Sequence, residues 1–200
     1  MLAGVLSLLT GAAFGSIPFG YIAGRLNGID IRRHGSGNIG FTNVQRTIGW
    51  AWAVPVLLLD VAKGLAPTTF ARNFALVPAL VGTGAILGHV FCPWLGFKGG
   101  KGVATTIGVA AFLCPRSLLA GLGIYLVVLA ATGFISVSSL AFAAALPVLT
   151  ALFYRDGVLL LVFAVGVALV IIIRHGSNMR RLAAGTEPRL GLWLRLFRRT

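Results

Sequence analysis

Long apolar runs alternate with short polar stretches along this chain, and the runs have the length of membrane spans. A spanning helix needs about 20 mostly apolar residues. Such runs fall at about 2–24, 48–66, 74–95, 103–115, 117–133, 135–153 and 157–173. The fourth is short, and the second carries Asp60 and Lys63. Pro18, Pro55, Pro78 and Pro147 punctuate the runs, which membrane helices tolerate because neighbouring helices re-satisfy the freed backbone. Gly11, Gly15, Gly20 and Gly24 would let helices approach closely. The pattern predicts an all-α, polytopic integral membrane protein with about seven transmembrane helices. It is expected to be a single domain over residues 1–200, with a basic tail at about 188–200. No basic residue precedes the first run, MLAGVLSLL, so it reads as a retained span and not as a cleavable signal.

Composition supports this picture. Of the 200 residues, 58% are hydrophobic and 10% charged, where a soluble domain has about a quarter charged. So few polar side chains cannot cover a water-exposed surface, which excludes an ordinary soluble domain. The net charge is +13, with only Asp30, Asp60, Asp156 and Glu187 opposing 17 bases. Without a soluble module to carry nucleic acid, the excess points to anionic lipid headgroups and phosphate ligands. Cys92 and Cys114 have no metal-ligand spacing and read as small buried hydrophobes.

Charge placement sets the orientation. If seven spans alternate, thirteen bases share one side and only Arg72, Arg116 and Arg155 the other. By the positive-inside rule the N-terminus is outside and the C-terminus cytoplasmic. The tail, RLGLWLRLFRRT, sets Trp193, Leu194 and Phe197 among arginines. It reads either as an interfacial amphipathic stretch or as a basic end that enforces topology.

Three polar clusters then fall on the cytoplasmic side. The first is RRHGSGNIGFTNVQR, residues 32–46. Gly35, Gly37 and Gly40 let the backbone take positive φ, so that successive N–H groups converge into an anion-binding nest. Ser36, Asn38, Thr42 and Asn43 add short donors. Arg32, Arg33 and Arg46 add guanidinium charge suited to phosphate. GSGNIG also fits the dinucleotide pattern G-x-G-x-x-G. That fingerprint needs a preceding hydrophobic strand and a βαβ unit, and GIDIRRH offers neither. Asp30 alone makes no metal site.

The second cluster is GFKGGKG, residues 96–102, where Lys98 and Lys101 stand among glycines that include Gly99 and Gly100. It resembles half of a Walker loop, but no Ser or Thr follows Lys101. The third is RHGSNMRRLAAGTE, residues 174–187. His175 and Asn178 share a face if the helix continues. Taken alone, His175 reads as an interfacial hydrogen-bonding residue or as a catalyst. His89 reads as structural. Asp60 and Lys63, one turn apart, would lower each other's cost inside the membrane, as a structural pair or a functional one.

Three donor-rich loops on one side suggest a single polar pocket at the membrane surface. No H-x-x-x-x-D dyad and no G-x-S-x-G elbow is present, so a protein nucleophile is not indicated. A transporter or flippase for phosphorylated small molecules is the alternative. Carriers usually show two related halves and an ionisable midplane path, and no convincing half-repeat is present here.

The segments SIPFGYIAG, IDIRRHGSGNIGFTNVQR, LLLDVAKG, GFKGGKGVAT and RHGSNMRRLAAGTE together resemble the bacterial acyl-phosphate:glycerol-3-phosphate acyltransferase family (PlsY-type). They run in the family's order from about residue 16 to 187. One departure is Phe41, where an alanine is usual. The resemblance implies a seven-helix inner-membrane enzyme with a cytoplasmic active site. It implies acyl transfer from acyl phosphate to the 1-hydroxyl of glycerol 3-phosphate, giving lysophosphatidic acid and inorganic phosphate in phospholipid biosynthesis. By motif match, Ser36, Gly37, Asn38, Thr42, Asn43 and Arg46, with Gly35 and Gly40, would bind phosphate. Lys101, with Lys98 as second choice beside Gly99 and Gly100, would neutralise one phosphate. His175 and Asn178 would orient a substrate or the attacking hydroxyl, with either His175 or a substrate phosphate oxygen as base. The expected partners are the two substrates, membrane lipids and other phospholipid-synthesis enzymes, with no nucleic acid. No cofactor or metal is expected.

Overall fold

The computed structural model describes residues 1–191. The apolar and basic tail residues from Trp193 onward lie outside the described residues. Ten helices are described: α1 (Leu2–Gly15), α2 (Phe19–Leu26), α3 (Phe41–Ile48), α4 (Trp50–Phe70), α5 (Pro78–Val90), α6 (Val103–Leu113), α7 (Pro115–Thr132), α8 (Ile135–Phe153), α9 (Val158–Arg174) and α10 (Gly176–Ala183). Among the described residues there is no strand, so the dinucleotide motif lacks the sheet it requires. The chain forms two compact units, Met1–Leu113 and a second from Cys114 onward.

In the first unit α4 is central and touches α1, α2, α3, α5 and α6. It stays helical through Pro55 and Pro67. The expected first span is two helices. α1 stops at Gly15 and α2 starts at Phe19, because Pro18 has no N–H to continue the ladder. Below the break, α1 packs on α5 main chain to main chain. A Cβ at Gly15 would overlap the Ala85 carbonyl, and one at Gly84 or Gly88 would overlap the carbonyls of Leu8 or Ala12. Of the four glycines expected to let helices approach, Gly11 and Gly15 do so against α5, whereas Gly20 and Gly24 meet Ile39 and Ile31 outside the long helices. In the second unit α8 lies between α7 and α9. α7 opens on Pro115, suited to a first turn, and ends at Gly133, whose φ of 74° reverses the chain.

Each of the seven expected apolar segments is helical. Five stretches are long and apolar enough to cross a membrane: Leu2–Leu26, Trp50–Phe74, Pro78–Leu95, Pro115–Thr132 and Ile135–Phe153. α9 and α10, bent by 52°, make a sixth if counted together. α6, with 11 residues, covers about 16 Å at 1.5 Å per residue, short of a ~30 Å hydrocarbon layer. Large apolar side chains such as Leu58, Val127, Leu159 and Ile173 face outward. Lipid accommodates such a surface and water does not.

Candidate active site

The first cluster is half loop and half helix. Asp30, Ile31, Arg32 and Arg33 form a short turn, the chain then loops through residues 34–40, and Thr42, Asn43 and Arg46 ride on α3. The helix is amphipathic: Asn43 and Val44 point inward, over a core of Ala23, Ile31, Ile39, Ala53, Val56 and Leu95. Phe41 packs edge-on against Trp50, with ring centroids 5.8 Å apart. Gly35 and Gly37 take φ of 58° and 69° as expected. Gly40 does not, its φ being −81°. It is small because a Cβ there would sit 2.9 Å from Asn38 Oδ1, which already accepts from the Gly40 N–H at 2.8 Å.

Asn43 is the brace of this loop. Its Nδ2 donates to the carbonyls of Ile31 (3.2 Å), His34 (3.0 Å) and Asn38 (2.8 Å), and its Oδ1 accepts from the Ser36 N–H at 2.8 Å. Asn43 is therefore placed to shape the loop from within. It is 1% exposed, and its donors are already engaged in shaping the loop. The Gly37 N–H is likewise engaged, with the His34 carbonyl. Arg32, expected to add free positive charge, is tied to Asp30 at 2.7 and 2.9 Å and lies over the Tyr21 ring. Hydrogen bonding from Arg32 holds the Asp30 carboxyl well below the usual carboxylate range. Ser36, Arg33 and Arg46 are exposed, and Thr42 is half-buried in the first turn of α3. That turn opens on Gly40, which has no side chain to cap it, so its N–H groups and their partial positive charge suit an anion.

The second cluster wraps the C-terminal end of α5. Gly99 N–H donates to the Val90 carbonyl and Gly100 N–H to the His89 carbonyl, both at 3.1 Å. A Cβ on Gly99 would overlap the His89 carbonyl oxygen, and one on Gly100 would overlap the His89 imidazole. These two amides lie against the end of the helix and seat the Lys101 turn on it. Lys98 is exposed and Lys101 half-buried at the edge of this turn. The first two clusters thus belong to one compact unit.

The third cluster belongs to the second unit. The helix does not continue straight: α9 ends at Arg174, and His175 caps α10 by accepting from the Asn178 and Met179 N–H groups at 2.9 and 3.0 Å. His175 and Asn178 still lie one turn apart, both buried. His175 Nδ1 is 2.8 Å from the Ile171 carbonyl. A carbonyl only accepts, so Nδ1 carries the hydrogen and Nε2 of a neutral ring keeps its lone pair.

Asn178 Nδ2 donates to Glu187 Oε1 at 2.6 Å, and Arg181 Nε donates to Glu187 Oε2 at 2.7 Å. Burial pushes the Glu187 carboxyl up, but hydrogen bonds from Asn178 and Arg181, with the Arg181 charge, outweigh it and hold the group below its ordinary value. Glu187 did not emerge from the motif reading. Its rarity, as one of four acids in the chain, was the available signal. The Leu190 N–H bonds the Gly133 carbonyl at 2.8 Å, and Arg189 lies over the Phe134 ring. This segment is thereby strapped to the α7–α8 turn.

The profile of a family described as glycerol-3-phosphate acyltransferase matches residues 5–185. The glycerol-3-phosphate acyltransferase of Geobacter sulfurreducens is 44% identical over 187 residues, covering 91% of this chain and 96% of the relative. That of Methylorubrum extorquens is 47% identical, covering 94% and 93%. The crystal structure of the integral membrane glycerol 3-phosphate acyltransferase PlsY in its glycerol 3-phosphate form matches with a TM-score of 0.87 and 33% identity, over 98% of this chain and 99% of that one. Its lysophosphatidic acid form matches with a TM-score of 0.85.

Proposed function

The chain belongs to the glycerol-3-phosphate acyltransferase family, and from that premise we propose that it takes its acyl group from an acyl phosphate at the cytoplasmic face of the bacterial inner membrane. It is a multi-pass membrane enzyme that acylates glycerol 3-phosphate. One observation carries the reading: the similar PlsY enzyme is seen with glycerol 3-phosphate and with lysophosphatidic acid, which differ by one acyl group. A carrier would not join the two.

In the proposed reaction the 1-hydroxyl oxygen of glycerol 3-phosphate attacks the acyl carbonyl carbon. The carbonyl–phosphate C–O bond breaks and inorganic phosphate leaves. Phosphate is a good leaving group, so the protein has mainly to hold two anions together and stabilise developing negative charge. Ser36, Thr42, Arg46 and the first turn of α3 would bind one phosphate in the nest that Gly35, Gly37, Asn38, Gly40 and Asn43 shape. Lys101, with Lys98 beside it, would neutralise phosphate charge. Asn178 is engaged with Glu187 and would act by fixing the turn that carries His175. The hydroxyl proton would pass to a substrate phosphate oxygen. His175 Nε2 is the rival base, supported by the hydrogen fixed on Nδ1. Seven spans with the N-terminus outside complete the proposal, supported by the distribution of lysine and arginine.

The test is to purify the protein in detergent and follow phosphate release from palmitoyl phosphate and glycerol 3-phosphate, with palmitoyl-coenzyme A in parallel. Phosphate release should require glycerol 3-phosphate and fall at least about 100-fold in Lys101→Ala. Lysophosphatidic acid formed from palmitoyl-coenzyme A would overturn the donor. A fall in kcat for His175→Gln at saturating substrate, with unchanged KM, would move the base to His175.

A further inference from the structure

We infer that the buried Asp60–Lys63 pair is a positioning device that fixes the nest and the Lys101 turn relative to one another through the Ser16–Pro18 break. The inference rests on reading those two clusters as phosphate sites.

Asp60 and Lys63 lie one turn apart on α4, 2% and 5% exposed, with Lys63 Nζ 2.7 Å from Asp60 Oδ1. The ammonium carries three N–H donors, and the carboxylate does not fill all of them. The further acceptor that Lys63 Nζ finds is the Ile17 carbonyl, also at 2.7 Å. That carbonyl sits in the break opened by Pro18 and also takes the Phe19 N–H at 3.2 Å. Lys63 lies over the Phe19 ring as well, 5.5 Å from its centroid. Lys63 thus holds both sides of the interruption, with the Asp60 carboxyl beside it.

Both anion clusters hang from this break. Downstream, α2 presses Gly20 against the Ile39 carbonyl so closely that no Cβ fits, and Ile39 belongs to the nest loop. Upstream, the Ser16 carbonyl accepts from Cys92 Sγ at 3.1 Å and Ser16 Oγ accepts from Trp94 Nε1 at 2.9 Å. Those residues lead into the Lys101 turn. Asp60 supplies a second connection. Its Oδ1 is 3.7 Å from His89 Nδ1, and the His89 ring and carbonyl support Gly100. One ion pair therefore touches the supports of both clusters, so it acts on their separation and not on either substrate.

The test uses the full-length enzyme in detergent with spin labels at Gln45→Cys and Phe97→Cys, one on each cluster, the native cysteines being buried. Lys63→Met is compared with the double variant Asp60→Leu/Lys63→Met, which leaves no unpaired buried charge and so guards against simple unfolding. Both should broaden the label-to-label distance distribution. Both should lower kcat with palmitoyl phosphate roughly 100-fold, as expected for misalignment of two bound reactants. A distance distribution that matches the unsubstituted enzyme in the double variant overturns the inference, whether or not turnover falls. If the unsubstituted enzyme shows no turnover, the acyl-transfer reading fails, and the label distances still decide about the pair.

Discussion

Around Gly37 the missing side chain matters for dihedral angles, whereas around Gly99 and Gly100 it matters for space. The nest loop needs φ of 58° and 69° at Gly35 and Gly37 and is otherwise shaped by one buried amide, Asn43. The Lys101 turn needs its main chain laid directly on the end of α5, where the His89 carbonyl and ring occupy any room for a Cβ. Both read in the sequence as glycine-rich phosphate loops. One is a loop built around a side chain, the other a helix cap built by contact. The same residue type thus carries two physical requirements, and each fails in its own way.

The largest effect is expected for Gly99→Ala. The obstacle is main chain and cannot rotate away, so overpacking should cost about 2–3 kcal/mol and abolish most turnover. A thermal melt and a phosphate-release assay on one preparation would check both. Gly100→Ala meets a side chain instead. It should be similarly damaging alone but partly rescued by His89→Ala, and absence of rescue would show that the cap, not the ring, sets the constraint. Asn43→Ala comes next, at about 2 kcal/mol, because it strips three carbonyls and one N–H of their partner. Its activity loss should appear with glycerol 3-phosphate at any concentration. Gly37→Ala, at about 1–2 kcal/mol for a left-handed residue, should exceed Gly40→Ala, which has ordinary φ and only the Asn38 side chain to displace. Equal melts for the last two would break the distinction between angle and space.

The smallest effect is a pH dependence in the second unit. Glu187 is held below its ordinary value, so its stabilisation is present above the unfolded carboxylate range, about 4.3, and is lost as pH falls through the lower folded value. Glu187→Gln should flatten that acid limb while leaving the neutral-to-alkaline melt slope unchanged. Melts across a pH series would measure it.

Much of this architecture is legible in the pattern of apolar runs. Residues 135–153 are helical from end to end as expected, and Gly11 and Gly15 do sit where helices meet. Other features depend on what a residue faces, which one chain read linearly does not display. Pro18 breaks the first span while Pro55 and Pro67 leave α4 intact, and the three prolines look alike in the sequence. Gly37 and Gly99 look alike in the sequence, yet only the fold assigns one to positive φ and the other to contact. Asn43 offers a donor on paper that three loop carbonyls take up. Glu187 stayed unnoticed because it meets its partners, Asn178 and Arg181, only where the chain turns back after α10.

The meeting of α1 with α5 also bears on how the protein is made. Their glycines face each other main chain to main chain, but about sixty residues separate the end of one helix from the start of the other. At ~5–20 residues per second of synthesis, α1 waits roughly 3–12 s for its counterpart. During that interval a strip of bare backbone faces lipid or the insertion machinery, and the N-terminal helix settles only when the fifth one arrives.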